Sequence, residues 1–361
     1  MTVKYLIVGQ GIAGTLLALE LERRGESFVI IDAAHQHSSS LVAAGIVNPI
    51  TGKRFVKSWQ IDDLLPQLAE MYGAAEQKLG IKIWHKMPIL RVLRNAEQEN
   101  NWLARAGWDS WRGYLGAANV DISSHFAGVF GVANILQGGK IDMQLLLRKA
   151  KNYFITTQKI IHNTFIYNDL DINNNKYTID NTSIKFDKIV FCEGWQLAQN
   201  PYFNYLPLQP SRGEALLVEI DAAYPFEGYL VKNDLLFVPA SNNPEYPKIA
   251  ENKALYWIGA TNGFNQSSPD PSPEGYLELT QKLAAAYTQP YKIVSHVAAF
   301  RPATRDRRPF VGVHPKHDNM LVINGLGTKG ASLAPAMVNA LLAHLYDGTP
   351  IPSEIDIARY H

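Results

Sequence analysis

Gly9-Gln10-Gly11-Ile12-Ala13-Gly14 carries three glycines at the spacing that lets a backbone loop cradle a pyrophosphate. Each glycine has a separate task. Gly9 allows a tight turn, Gly11 lets the chain approach the phosphates, and Gly14 lets a helix lie close to a strand. The free N–H groups at a helix start then face negative charge. Asp32 stands where an acid would take ribose hydroxyls. The same spacing is also met in a glycine turn that binds nothing.

A second run of this form, Gly325-Leu326-Gly327-Thr328-Lys329-Gly330, lies near the C-terminus. Too little chain follows it for another strand and acid. It suits a helix N-terminus aimed at an electron-rich ring, where the dipole stabilises negative charge, or a helix start that merely packs. Between the two lies a cationic stretch, Phe300-Arg301-Pro302-Ala303-Thr304-Arg305-Asp306-Arg307-Arg308-Pro309-Phe310-Val311-Gly312. Arginine side chains there carry planar forks that can bind both oxygens of a carboxylate. Arg307 and Arg308 read as solvated or ion-paired surface residues.

The elements around these residues form a βαβ unit. Tyr5 to Val8 is a short buried strand, Ile12 to Arg24 a helix stopped by Gly25, and Phe28 to Ile31 a second strand ending at Asp32. Residues 35–41 form a polar loop, in which His35 and His37 read as solvated. The small-residue run Ala43 to Gly52 suits backbone passing a flat group. A helix is predicted over 57–79 and a strand over 86–94. Gly138 to Asp142 breaks the chain before a helix from Met143, with Asp142 as N-cap. Lys188 to Cys192 is a buried strand closed by Glu193-Gly194-Trp195. Strands follow near 215–220 and 235–238, then a helix over 274–287. The last part holds strands near 292–300, 309–313 and 320–324 and a helix over 330–346. The expected fold class is α/β: a Rossmann-like nucleotide domain from 1–50, 142–205 and 296–361, with a mixed or antiparallel-sheet α+β substrate domain inserted as 51–141 and 206–295.

Composition narrows the function classes. The 361 residues suit two intertwined domains rather than one core. A net charge of +1 gives no global pull towards nucleic acid or anionic membrane. The single cysteine, Cys192, excludes a disulfide framework and a cysteine metal site within one chain, and the histidines show no ligand spacing. The expected location is the cytoplasm, with no signal segment, membrane span or metal.

The glycine motif alone does not separate FAD from NAD. The small residues after Asp32, the strand ending at Gly194 and the second glycine motif favour FAD. A nicotinamide dehydrogenase and a flavin-binding scaffold without turnover stand as alternatives. The residues nominated for the cofactor are Gly9, Gly11, Ile12, Ala13, Gly14, Asp32, Ala33, Ser39, Ala43, Ala44, Gly45, Ile46, Gly194, Trp195, Arg301, Gly325, Gly327, Thr328, Lys329 and Gly330.

The N-terminal motif, the arginine stretch, Gly325 to Gly330 and Leu333-Ala334-Pro335-Ala336 together resemble the D-amino-acid oxidase superfamily. The glycine oxidase and sarcosine oxidase branch is the nearest in pattern. Arg301-Pro302-x-Thr304-Arg305-Asp306 with Leu326-Gly327-x-Lys329-Gly330 is also similar to the flavin domain of a bifunctional tRNA-modifying enzyme. That domain removes a carboxymethyl group from a uridine side chain, and 361 residues leave no room for its methyltransferase partner. The resemblance implies non-covalent FAD, with Cys192 packed as a small apolar residue. It implies oxidation of a small amino acid or secondary amine to an imine by hydride transfer. It makes Arg301 the carboxylate clamp and leaves Lys329 and Arg54 as further candidates facing substrate or flavin. The electron acceptor and oligomeric state stay open, and tRNA is a weaker alternative substrate.

Overall fold

The computed structural model describes residues 1–33, 38–52, 54–224, 226–240, 246–264 and 266–361. The strands Ile160–His162, Phe28–Asp32, Thr2–Val8, Thr182–Phe191 and His317–Asn324 lie side by side and parallel. Their register is level: Ile161, Ile31, Val8, Phe191 and Val322 form one row. All five C-terminal ends therefore open on one edge. Ligands of parallel sheets bind at that edge.

Near-continuous apolar runs make these strands because both faces of the sheet are covered. Tyr5 and Ile7 face a core shared with the helices Ile12–Arg23, Ile61–Leu79, Met143–Thr156 and Gly330–Asp347. Leu6 and Val8 face a second core with Phe186, Phe203, Phe310 and Met320. Thr182–Phe191 divides its free side between two partners. Its first half pairs antiparallel with Lys176–Ile179, and its last three residues pair with His317–Asn324.

A second, mixed sheet stands over the open edge. Its order is Lys292–Arg301, Ser211–Asp221, Lys253–Gly259, Leu236–Pro239, Leu230–Lys232, Ile89–Leu93, Gly131–Ile135 and Leu115–Ala117. Only the pairing of Leu230–Lys232 with Ile89–Leu93 is parallel. One face packs on Phe55, Trp102 and Trp111 and looks towards the first sheet. The other is capped by the helix Pro273–Ala286 through Leu279 and Leu283. Both segments expected to form the inserted domain supply strands here. The expected division at residue 296 falls inside Lys292–Arg301, a strand that pairs with Ser211–Asp221 along its length.

Several expectations are corrected. Gly139–Ile141 is no break but the middle strand between Ile46–Val47 and Trp84–Lys86. The helix expected from 57 begins at Ile61, because Val56–Lys57 pairs with Ile50–Thr51 first. Within the loop expected over 35–41, Ser39–Val42 makes a helical turn, while 35–37 lie outside the described residues. The helix Ala96–Ala106 was not expected: it buries only Trp102, and its other large apolar residue, Leu103, is exposed, so it offers no continuous apolar stripe to read.

Asp142 does cap the helix Met143–Thr156, accepting the Leu145 amide at 3.1 Å. That helix lines the open edge with Met143, Gln144, Leu147 and Arg148. Asp142→Ala is expected to cost about 1 kcal/mol. The check is the urea midpoint of unfolding, which should fall for Asp142→Ala and hold for Asp142→Asn.

Candidate active site

Between the level strand ends and the second sheet lies one continuous cavity of about 1230 Å³. That exceeds the range usual for a single small ligand. Its floor is the first glycine motif. Gly9 has φ +98°, and a Cβ on it would lie 2.5 Å from the Cys192 carbonyl oxygen. A Cβ on Gly14 would lie 1.9 Å from the Gly9 carbonyl oxygen. Strand, turn and helix are thus in backbone contact, which only glycine permits. The helix begins at Gly11 with no side-chain cap. Its Ile12 amide donates to Ser40 Oγ at 3.1 Å. The Gln10 amide donates to Asp32 Oδ1 at 2.8 Å, which fixes the acid beside the loop.

The second glycine motif meets the cavity from the other side. Asn324 accepts the Gly325 amide at 2.7 Å and donates to the Gly194 carbonyl at 2.9 Å. The Gly327 amide donates to the Pro302 carbonyl at 3.0 Å. The helix Gly330–Asp347 also starts without a side-chain cap, and Gly327, Thr328, Gly330 and Ala331 line the cavity. Two helix dipoles therefore point their positive ends into one space.

Arg301 closes the strand Lys292–Arg301 and lines the cavity. Its guanidinium lies against Gly213, where a Cβ would be 1.8 Å from Nη2. Nη2 donates to the Thr261 carbonyl at 3.1 Å and Nη1 to Asn262 Oδ1 at 3.2 Å. Among the described residues no carboxylate forms an ion pair with it. Burial lowers its pKa from the usual arginine value, yet an arginine stays charged. A held, cationic fork in a cavity, with no ion-paired carboxylate among the described residues, has the chemistry to bind an anion.

Most of the roof is apolar: Leu217, Leu236, Trp257, Val297 and Ala299 face the cavity. Trp257 Nε1 donates to the Val42 carbonyl at 3.1 Å, tying the roof to the wall Ser39–Ile46. Gln144 fastens the same wall, donating to the Leu41 carbonyl at 2.6 Å. Glu193 also lines the cavity, accepting from Tyr167 Oη at 2.6 Å and Asn200 Nδ2 at 2.7 Å. Burial raises its pKa to about 7, against the pull of those two donors. Burial drives the Cys192 thiol far above its usual range, so it is a poor nucleophile.

Of the residues nominated from sequence, Gly9, Gly11, Ile12, Ala13, Asp32, Ala33, Ser39, Ala43, Ala44, Gly45, Ile46, Gly194, Trp195, Arg301, Gly327, Thr328 and Gly330 line this cavity. Gly14 and Gly325 do not; they pack behind it, against Gly9 and Thr304. Lys329 turns away, with Nζ donating to Ser58 Oγ at 3.2 Å. Burial, helped by Arg308 and Arg307, lowers its pKa. Arg54 is exposed, and neither Arg54 nor Lys329 lines the cavity. Arg308 pairs with Glu354 at 3.3 Å, and Arg307 is exposed. Ser40, Gln144, Glu193, Lys232 and Trp257 were missed. Only Glu193 carried a visible signal, an acid closing a buried strand.

The family model described as FAD dependent oxidoreductase (DAO) matches residues 4–344, and the chain belongs to that family. It is therefore an FAD-dependent oxidoreductase, which sets aside the nicotinamide alternative. It is 24% identical over 370 aligned positions to the tRNA 5-methylaminomethyl-2-thiouridine biosynthesis bifunctional protein MnmC of Marinobacter nauticus. That match covers 93% of this chain but 54% of the relative, so the chain spans about half the length of that protein. The glycine oxidase structure from Bacillus cereus superposes with TM-score 0.76 at 17% identity, covering 97% of this chain and 96% of that one. Iminodiacetate oxidase from Chelativorans sp. BNC1 gives TM-score 0.73 at 21% identity, covering 99% and 98%. At these identities the structures speak for the fold. Among the described residues no helix is long and apolar enough to cross a membrane, and no cluster of metal ligands occurs.

The cavity suits FAD on its own geometry: a cradle that admits only glycine at Gly9 and Gly14, two helix N-termini whose N-cap residues offer no capping side chain, and an acid at one end. Gly14→Ala forces the helix off the strand. It should abolish the yellow flavin band of the purified protein and lower its melting temperature, read by absorbance and by thermal scan. Glu193 yields a second expectation. An acid with a raised folded pKa costs stability as pH rises from its unfolded value to its folded one. Stability should therefore fall between about pH 4.5 and pH 7 from this group, and Glu193→Gln should flatten that part of the profile.

Proposed function

We propose that this chain oxidises the C–N bond of a small amino acid or secondary amine that carries a carboxylate, with Arg301 as the clamp. The observation that carries this reading is the Arg301 fork, held over Gly213 and without a described carboxylate partner, in the same cavity as both glycine motifs. The first motif would hold the pyrophosphate of FAD and Asp32 its ribose. The start of Gly330–Asp347 would face the isoalloxazine. Bound non-covalently, FAD supplies the two-electron acceptor.

The residues of the chain do the rest. Arg301 binds both carboxylate oxygens and so fixes the orientation of the adjacent carbon. Leu217, Leu236, Trp257 and Val297 exclude water above it. The dipole of Gly330–Asp347 favours negative charge beneath its N-terminus. The substrate loses the hydrogen on its α-carbon with the electron pair, the nitrogen proton passes to water, and the resulting imine hydrolyses. No side-chain base is needed if the amine enters neutral. The same chemistry on a carboxymethylaminomethyl group of tRNA is the second reading, favoured by a match to MnmC along 93% of the chain.

Arg301→Ala should raise KM for carboxylated amines on the order of a hundredfold while the flavin stays bound. Gly213→Ala should do the same without removing any charge, because its Cβ displaces the guanidinium. Unchanged KM in Arg301→Ala, measured by steady-state kinetics, refutes the clamp.

A further inference from the structure

Two cations sit side by side on the roof, away from Arg301. Lys232 and Arg91 are directly opposite one another on the parallel strands Leu230–Lys232 and Ile89–Leu93. Like charges so placed repel. Both lie on the cavity side of the sheet, since Lys232 is in register with Leu236, and Leu236 with Gly259, which all line the cavity. Lys232 Nζ donates to the Asp234 carbonyl oxygen at 3.1 Å and forms no ion pair with a described residue. The Arg91 guanidinium stands 5.7 Å from the Phe55 ring, with its Nε buried and without a hydrogen-bond partner among the described residues. Asp234, a carboxylate whose charge acts on both, gives its ion pair to Arg94 at 2.8 Å. Burial first, then Arg91, pushes the Lys232 pKa down to about 8. Folding thus maintains a half-buried pair of like charges at a cavity wall, at a cost to stability and with no partner among the described residues that explains it.

We propose that Lys232, backed by Arg91, binds an anionic group at the far end of the substrate, so that the substrate is an amine with a carboxylate at Arg301 and a second anion at Lys232. This rests on the amine-oxidising reading above. The row Val297, Ala215, Gly259, Leu236, Lys232 crosses four strand spacings, roughly 19 Å along the sheet. Arg301 lies beyond Val297 on the first of those strands. Glycine or sarcosine reaches only one of the two cationic ends. An elongated N-carboxymethyl amine ending in a carboxylate or a phosphate reaches both.

The test is binding to the FAD-loaded protein, followed through perturbation of the flavin spectrum, which needs no turnover. Non-oxidisable α,ω-dicarboxylates of increasing length are compared with monocarboxylates of equal length, and with carboxylates ending in phosphate. A dianion of matching length should bind roughly tenfold or more tighter than its monoanion. Lys232→Met should bring that ratio close to one, and Lys232→Arg should keep it. Arg91→Met, which leaves the cavity lining intact, should also reduce the ratio. The terminal group with the larger ratio identifies the anion as carboxylate or phosphate. A ratio near one in the unaltered protein, or one that Lys232→Met and Arg91→Met both leave in place, overturns the proposal. Failure of every amine to reduce the flavin would instead strike the amine-oxidising reading, and the binding ratio would still decide the anion site.

Discussion

The contact between Gly14 and the Gly9 carbonyl is the constraint on which the rest depends. It lets the helix Ile12–Arg23 lie against its strand, so that its uncapped start faces the level ends of the parallel sheet. Any Cβ at Gly14 moves the helix away and loses the phosphate cradle. The same edge receives the start of Gly330–Asp347 from the opposite side, through the Asn324 bridge to Gly194. Two positive helix ends facing one cavity require a negatively charged or electron-rich occupant, and FAD meets both requirements.

The second sheet converts a cofactor cleft into a reaction chamber. Its strand Lys292–Arg301 ends over the cleft, and the pairing with Ser211–Asp221 places Gly213 under the Arg301 guanidinium. A small residue at one position thereby fixes a charge contributed by another strand. Apolar residues on that face line the same cavity as Arg301. Trp257 and Gln144 hold the intervening wall by hydrogen bonds to backbone carbonyls.

Most of the first sheet was legible in the sequence, because strands buried on both faces read as continuous apolar runs and the glycine motifs mark their ends. Arg301, nominated for the chemistry of its fork and by resemblance, lines the cavity. Lys329 and Arg54 do not; residue type and proximity in sequence do not reveal which way a side chain turns at a helix start or loop. Lys329 turns to Ser58, and Arg54 faces solvent. Lys232 and Arg91 were invisible for a different reason. Their meeting depends on register between strands far apart in the chain, and on which face of the sheet is covered. Gly139–Ile141 read as a break because the Gly138-Gly139 pair conceals a strand that pairs on both sides.

The central claim is that a carboxylated amine, oriented by Arg301, reduces the flavin of this chain. The most direct measurement is an anaerobic visible spectrum of the purified protein, before and after adding carboxylated amines and their decarboxylated analogues. The panel runs from glycine, sarcosine and the D- and L-amino acids to longer N-carboxymethyl amines. Bleaching of the flavin band by a carboxylated amine, with little or none by its decarboxylated analogue, is the predicted result. A flavin band that no carboxylated amine bleaches, or that the decarboxylated analogues bleach equally well, would contradict it.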